Sequence, residues 1–143
     1  MRLAVLALSF LILSACNSEP KGMVVDQAEV RLPAVKGRPG AAYFSLHGGA
    51  VDERLMSVSS PLAVRAEMHD MVMAGNVMKM DAIEGGLAVR ASDTVAFASG
   101  GKHVMLFDIS PKVSPGDKLP LTLTFASGTV LSTEAPVVAA GGE

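Results

Sequence analysis

The segment His103-Val104-Met105 sets an imidazole and a thioether two residues apart. On an extended strand, side chains at i and i+2 share a face about 7 Å apart. Both can therefore reach a single ion. A histidine opening a strand beside a buried methionine would read the same way, so the pair alone leaves two interpretations open. A second histidine, His69, closes the segment 62–69, whose apolar face is Leu62, Val64, Ala66 and Met68. The opposite face is Arg65, Glu67 and His69, which assigns Met68 to the core and His69 to the wet side. Nine methionines occur in the chain, and five of them (Met68, Met71, Met73, Met78 and Met80) fall within 13 positions. The stretch between His69 and Met80 is polar and Gly-containing in its middle, at Gly75-Asn76, so it is expected to form a turn or loop that keeps several thioethers near His69.

The elements that must position these groups are short and extended. Leu121, Leu123 and Phe125 alternate with Thr122 and Thr124, a period of two that fits a strand with one wet face. Further strands are expected at 24–30, 42–46, 62–69, 77–83, 94–98, 103–109 and 130–138, with Pro136 marking an edge or a strand end. Turn signals separate them at Ser99-Gly100-Gly101, Ser114-Pro115-Gly116-Asp117 and Ser127-Gly128. No long stretch has a 3.6-residue period. The expected fold class is all-β, an antiparallel β-sandwich with little helix.

Composition narrows the function. With 143 residues the chain is long enough for one well-cored domain. Its 12 basic and 14 acidic side chains are nearly balanced, and no Lys/Arg run tracks a phosphate backbone, which argues against nucleic acid as a partner. Tryptophan is absent, so a base-stacking platform is disfavoured too. Three histidines occur without a Gly-x-Ser-x-Gly elbow or a His-Glu-x-x-His helix, and no enzymatic activity is expected.

The N-terminus indicates a compartment. Arg2 precedes an apolar run, 3–13, too short to span a bilayer as a mature helix. It leads through Leu13-Ser14-Ala15 into Cys16, the single cysteine of the chain. This resembles a bacterial lipobox, in which cleavage precedes a cysteine that then carries diacylglycerol. The expected organisation is a lipoprotein signal peptide (1–15), a lipid-anchored tether (16–22), a β-sandwich domain (23–138) and a flexible tail (139–143). Asn17 differs from the Asp that retains lipoproteins at the inner membrane of enteric bacteria, so outer-membrane placement facing the periplasm is the expectation. With Cys16 acylated, no thiol or disulfide chemistry is available.

His69, ten residues, Met80, 22 residues and then His103-Val104-Met105 resembles the motif of the periplasmic PCu(A)C copper chaperones. Ala42-Tyr43-Phe44, Ser59-Ser60-Pro61, Glu67-Met68-His69, Val77-Met78-Lys79-Met80 and the stretch from Gly116-Asp117 to Phe125 add to the likeness, which covers about residues 24–138. The resemblance implies a cupredoxin-like sandwich and a Cu(I) ion held by His69, Met80, His103 and Met105. It further implies delivery toward the CuA subunit of cytochrome c oxidase, often beside a Sco-type partner. Two features depart from the family: His47 stands where relatives usually carry asparagine, and a lipid anchor is not their commonest form.

The ligand set suits the cargo. Thioethers are soft and uncharged, and select Cu(I) over harder ions. Methionine also cannot close into a disulfide, as a cysteine pair would in an oxidising compartment, although it can be oxidised to the sulfoxide. A blue-copper electron carrier needs a thiolate ligand that this chain lacks. Met71 and His47 are candidate accessory ligands. Glu67 shares the face of His69, where it either orients the imidazole or is simply a solvated carboxylate; Asp70 points to the other face. Two further functions are compatible with the residues: a periplasmic copper buffer or resistance lipoprotein without a dedicated client, and a structural or adhesion lipoprotein whose methionines are core.

Overall fold

A computed structural model describes residues 22–141. The expected signal peptide, Cys16 and all but the last residue of the tether lie outside the described residues, as do the last two residues of the tail. Among the described residues the chain is built of strands: β1 (Val24–Arg31), β2 (Gly40–His47), β3 (Glu53–Ser59), β4 (Ala63–Ala74), β5 (Val77–Ala82), β6 (Leu87–Val89), β7 (Thr94–Phe97), β8 (His103–Ile109), β9 (Lys118–Phe125) and β10 (Val130–Val138). None of the described elements is a helix long and apolar enough to cross a membrane.

Hydrogen bonding runs in the order β5-β4-β8-β2-β1-β10-β9-β3-β6, with β7 also paired to β2. Every ladder is antiparallel except the short parallel pairing of β1 with β10. The two halves of this order fold face to face, because alternation gives each an apolar side. Ala42, Phe44 and Leu46 of β2, Val104 and Leu106 of β8 and Met68 of β4 meet Leu55, Leu119, Leu121, Leu123, Phe125 and Val137 in one core. Phe44 stacks on Phe97 at a centroid distance of 4.3 Å. The all-β sandwich expected from the alternation is the fold observed, and it agrees with the cupredoxin-like sandwich that the resemblance implies.

Four local differences have physical causes. Strand β3 has no two-residue signature in the sequence because its register shifts between Leu55 and Ser57, so its buried residues, Leu55 and Val58, are three apart. Strand β6 has three residues, too few for periodicity to register. Val64, assigned by alternation to the core, is 81% exposed. Its β8 neighbour Asp108 takes φ 51°, and the ladder there pairs only Ala63 with Ile109 and Arg65 with Phe107. Pro136 lies in an interior strand rather than at an edge. It occupies the last rung against β9, opposite Lys118, and parallel pairing with β1 begins one residue later at Val137, so the missing N–H interrupts neither ladder.

The largest difference bears on the site. The segment after His69 is no loop: β4 continues to Ala74 and pairs with β5 from His69↔Ala82 to Ala74↔Val77. Gly75 and Asn76 make the turn, with φ 65° at Gly75, the pattern of a two-residue type II′ hairpin loop. Pairing of β4 with β8 stops at His69↔His103. Beyond that rung β4 and β5 form a two-stranded arm that extends past the sheet.

Candidate metal centre

His69 and His103 are direct partners across the β4–β8 ladder, and Glu67 is opposite Met105. Cross-strand partners share a face, so these four residues occupy the outer surface of the sheet while Met68 and Val104 between them point into the core. The imidazole rings lie 5.9 Å apart between centroids and 19° from parallel. On β5, Met80 is opposite Met71, two rungs beyond the His69↔Ala82 pair and therefore on the same face. Diagonal neighbours of this kind remain within reach of long side chains. Met80 is 45% exposed. The strands thus bring His69, Met80, His103 and Met105 to one face, with Met71 among them. The centre lies on the outer face of the sheet, at the rung where β8 begins and the β4–β8 ladder ends.

Each imidazole is held in one tautomer by a group that can only accept. Glu67 Oε2 lies 3.2 Å from His69 Nε2, so that nitrogen carries the proton. In the neutral imidazole this leaves His69 Nδ1 as a bare lone pair, and the atom is buried without any hydrogen-bond partner. Gly101 O lies 2.9 Å from His103 Nδ1, which protonates that nitrogen and frees Nε2. The carbonyl is aimed by the tight turn before β8, closed by Ala98 N to Lys102 O at 2.7 Å and Gly101 N to Ala98 O at 3.0 Å. An orphaned buried nitrogen costs roughly 1–3 kcal/mol in a closed structure. A metal ion is the partner such a lone pair fits, and an outer acceptor on the other ring nitrogen is the usual support of a ligating histidine.

The support extends further than the sequence indicated. Arg65 pairs with Glu67, and its guanidinium lies 4.0 Å over the Phe107 ring. Phe107, Arg65, Glu67 and His69 form a chain of contacts along the outer face. Arg65 was legible in the sequence as a member of that polar face, but its partner Phe107 depends on the β4–β8 register. Asp70, on the other face, is committed to Lys102 at 2.8 Å.

His47 is not brought to this centre. It sits at the far end of β2, opposite Val24 and Thr94. Both its nitrogens are engaged, Nδ1 with Thr94 Oγ1 at 2.9 Å and Nε2 with Asp26 Oδ1 at 3.1 Å. Among the described residues no three His, Cys, Asp or Glu side chains gather into a metal cluster. The donors here are two imidazoles and thioethers, a soft set that suits a monovalent ion and offers little to Mg²⁺ or Ca²⁺.

Comparison with known proteins agrees with this architecture. The family described as "Putative lipoprotein LpqE-like" matches residues 23–137. A curated relative, "Putative lipoprotein Lxx21020" of Leifsonia xyli subsp. xyli, is 25% identical over 121 residues, covering 85% of this chain and 72% of its own. The copper-bound PCuAC domain of PmoF2 superposes with a TM-score of 0.67 at 21% identity, covering 85% of this chain and 96% of that one. The solution structure of apo-DR1885 from Deinococcus radiodurans gives 0.60 at 21% identity, covering 97% and 95%. At these identities the structural likeness establishes the fold, the same one that the motif implies. The family match spans all but the last residue of the ten strands, and the chain is therefore a member of the LpqE-like lipoprotein family with the fold of a PCuAC domain.

Proposed function

We propose that this protein binds a Cu(I) ion through His69, Met80, His103 and Met105 and passes it to an acceptor, acting as a metallochaperone rather than an enzyme. The observation that carries the reading is the pair of adjacent imidazoles, each locked with one lone pair free, beside two thioethers on one face. Neutral donors leave the bound ion with its positive charge, which favours Cu(I) over Cu(II) or Zn(II). Copper-bound structures exist for domains of this fold, PmoF2 and DR1885 among them, which supports the same cargo here.

Delivery follows from exposure. A centre on an outer sheet face, with Met80 half-exposed, allows an incoming thiolate or imidazole to bond to the metal before the donor's ligands have all released. The acceptor we propose is the CuA subunit of cytochrome c oxidase, with a Sco-type copper protein as a further partner. Lipid on Cys16 would hold the domain at a periplasmic membrane surface, the outer membrane in our reading, and the lipoprotein family supports that anchor.

Anaerobic titration of the purified domain with Cu(I) against a competing chelator tests the site. One tight equivalent is expected, lost in a Met80→Ala, Met105→Ala double variant; unchanged affinity in that variant refutes the assignment. Mixing loaded domain with an apo CuA fragment, with and without a reducing partner, tests delivery. If copper never leaves the donor, the buffer reading replaces the chaperone.

A further inference from the structure

The β4–β5 arm carries more sulfur than one copper centre uses. Beyond the His69↔His103 rung, the outer face of the arm holds Met71 opposite Met80 and Met73 opposite Met78. Every residue on that face from 71 to the turn and back to 80 is methionine. None is assigned to the core: Met73, Met78 and Met80 are 61%, 48% and 45% exposed. Large apolar side chains lined up in water serve no packing purpose, and threonine would suit a mere hairpin better. The opposite face is ordinary, with Lys79 paired to Asp81 at 2.7 Å. The sulfur is confined to the side that also bears the two imidazoles.

We propose that Met73 and Met78, with Met71, form a second and separate site for a soft monovalent d¹⁰ ion, Cu(I) or Ag(I), at the tip of the arm. Directly opposed residues have Cβ atoms about 4.5–5.5 Å apart. The unbranched, freely rotating thioether lets both sulfurs converge from that spacing on one ion. The Gly75-Asn76 turn fixes the register that opposes the two residues, so the donors are aligned before any metal arrives. With three neutral sulfurs and no imidazole, the site selects by softness alone and has no proton to lose, so acid does not weaken it. Met71 and Met80 form the rung between the tip and the histidines, about 7 Å along the strand. An ion captured at the exposed tip thus has a continuous run of thioethers to follow into the imidazole centre. The tip site stands apart from the single-ion reading above, whereas the path into the imidazole centre and the count of two ions rest on that reading.

The test uses the mature chain labelled with ¹³C at the methionine ε-methyl groups, titrated anaerobically with Ag(I) and, separately, with Cu(I) supplied as its acetonitrile complex. Native mass spectrometry should show two bound ions. The Met73 and Met78 methyl signals should move in a phase distinct from that of Met105, and Zn(II) should move neither. Met73→Leu, Met78→Leu should lose one ion and keep the imidazole site. His69→Ala, His103→Ala should lose the other and keep the Met73 and Met78 shifts, including at acid pH. Met73 and Met78 signals that stay still through excess Ag(I) and Cu(I) overturn the proposal in the unmutated protein. Retention of both ions by Met73→Leu, Met78→Leu overturns it as well.

Discussion

Glu67 offers a direct test of whether the imidazole pair is a prepared metal centre. Its carboxylate accepts from His69 Nε2 at 3.2 Å and is itself fastened by Arg65. Replacing it by alanine frees the His69 ring to rotate and removes the negative charge that makes Nδ1 a better donor. A hydrogen bond to a charged group contributes about 1.5–3 kcal/mol when well sheltered. The Glu67 side chain is 36% exposed and the bond is long, so solvent screening lowers the figure. An effect of about 1.4 kcal/mol remains, which is about tenfold in affinity and the lower end of what such outer partners contribute. Glu67→Gln should fall between parent and Glu67→Ala, because its amide oxygen still accepts while the charge is gone. Arg65→Ala should cost less than about fivefold, since an exposed ion pair is a weak tether. The assay is chelator-competed Cu(I) binding without oxygen, with circular dichroism confirming the fold. Glu67→Ala binding Cu(I) as tightly as the parent would show that the carboxylate is only a solvated surface group.

The orphaned Nδ1 implies a conflict between binding and stability. His69→Leu should abolish tight Cu(I) binding yet leave the metal-free protein as stable or more so, by up to about 1 kcal/mol, because an unpaired buried nitrogen is removed; a clear fall in melting temperature would contradict this. His47→Ala should leave Cu(I) affinity unchanged, since both its nitrogens are bonded elsewhere, and a measurable loss in the same competition assay would return it to the ligand set. Gly48→Ala should destabilise the fold by about 1–3 kcal/mol, because its Cβ would sit 2.1 Å from Arg90 O; urea unfolding measures this, and a stability equal to the parent's would disprove the steric reading. Phe44→Ala, which empties a fully buried position stacked on Phe97, should cost about 3–5 kcal/mol by the same measurement, and a loss below about 1 kcal/mol would mean that the core refills.

The sequence by itself determined the donor types, their spacing and the class of fold. Period-two alternation places strands because it reflects local burial, and it marked β8, β10 and the 121–125 part of β9. It also separated Met68 from His69, one facing the core and the other the outer surface. It failed where burial departs from strict alternation, at the bulge in β3 and beside the left-handed backbone of Asp108. Register was beyond it altogether. A slip of one residue between β4 and β8 would turn one histidine inward, yet no local signal specifies that His69 faces His103. The tautomers, the path from Phe107 through Arg65 and Glu67, the engagement of His47 elsewhere and the alignment of four thioethers along the arm all follow from such pairings. They depend on which strands lie side by side, a property of the folded chain that spacing along the sequence does not carry.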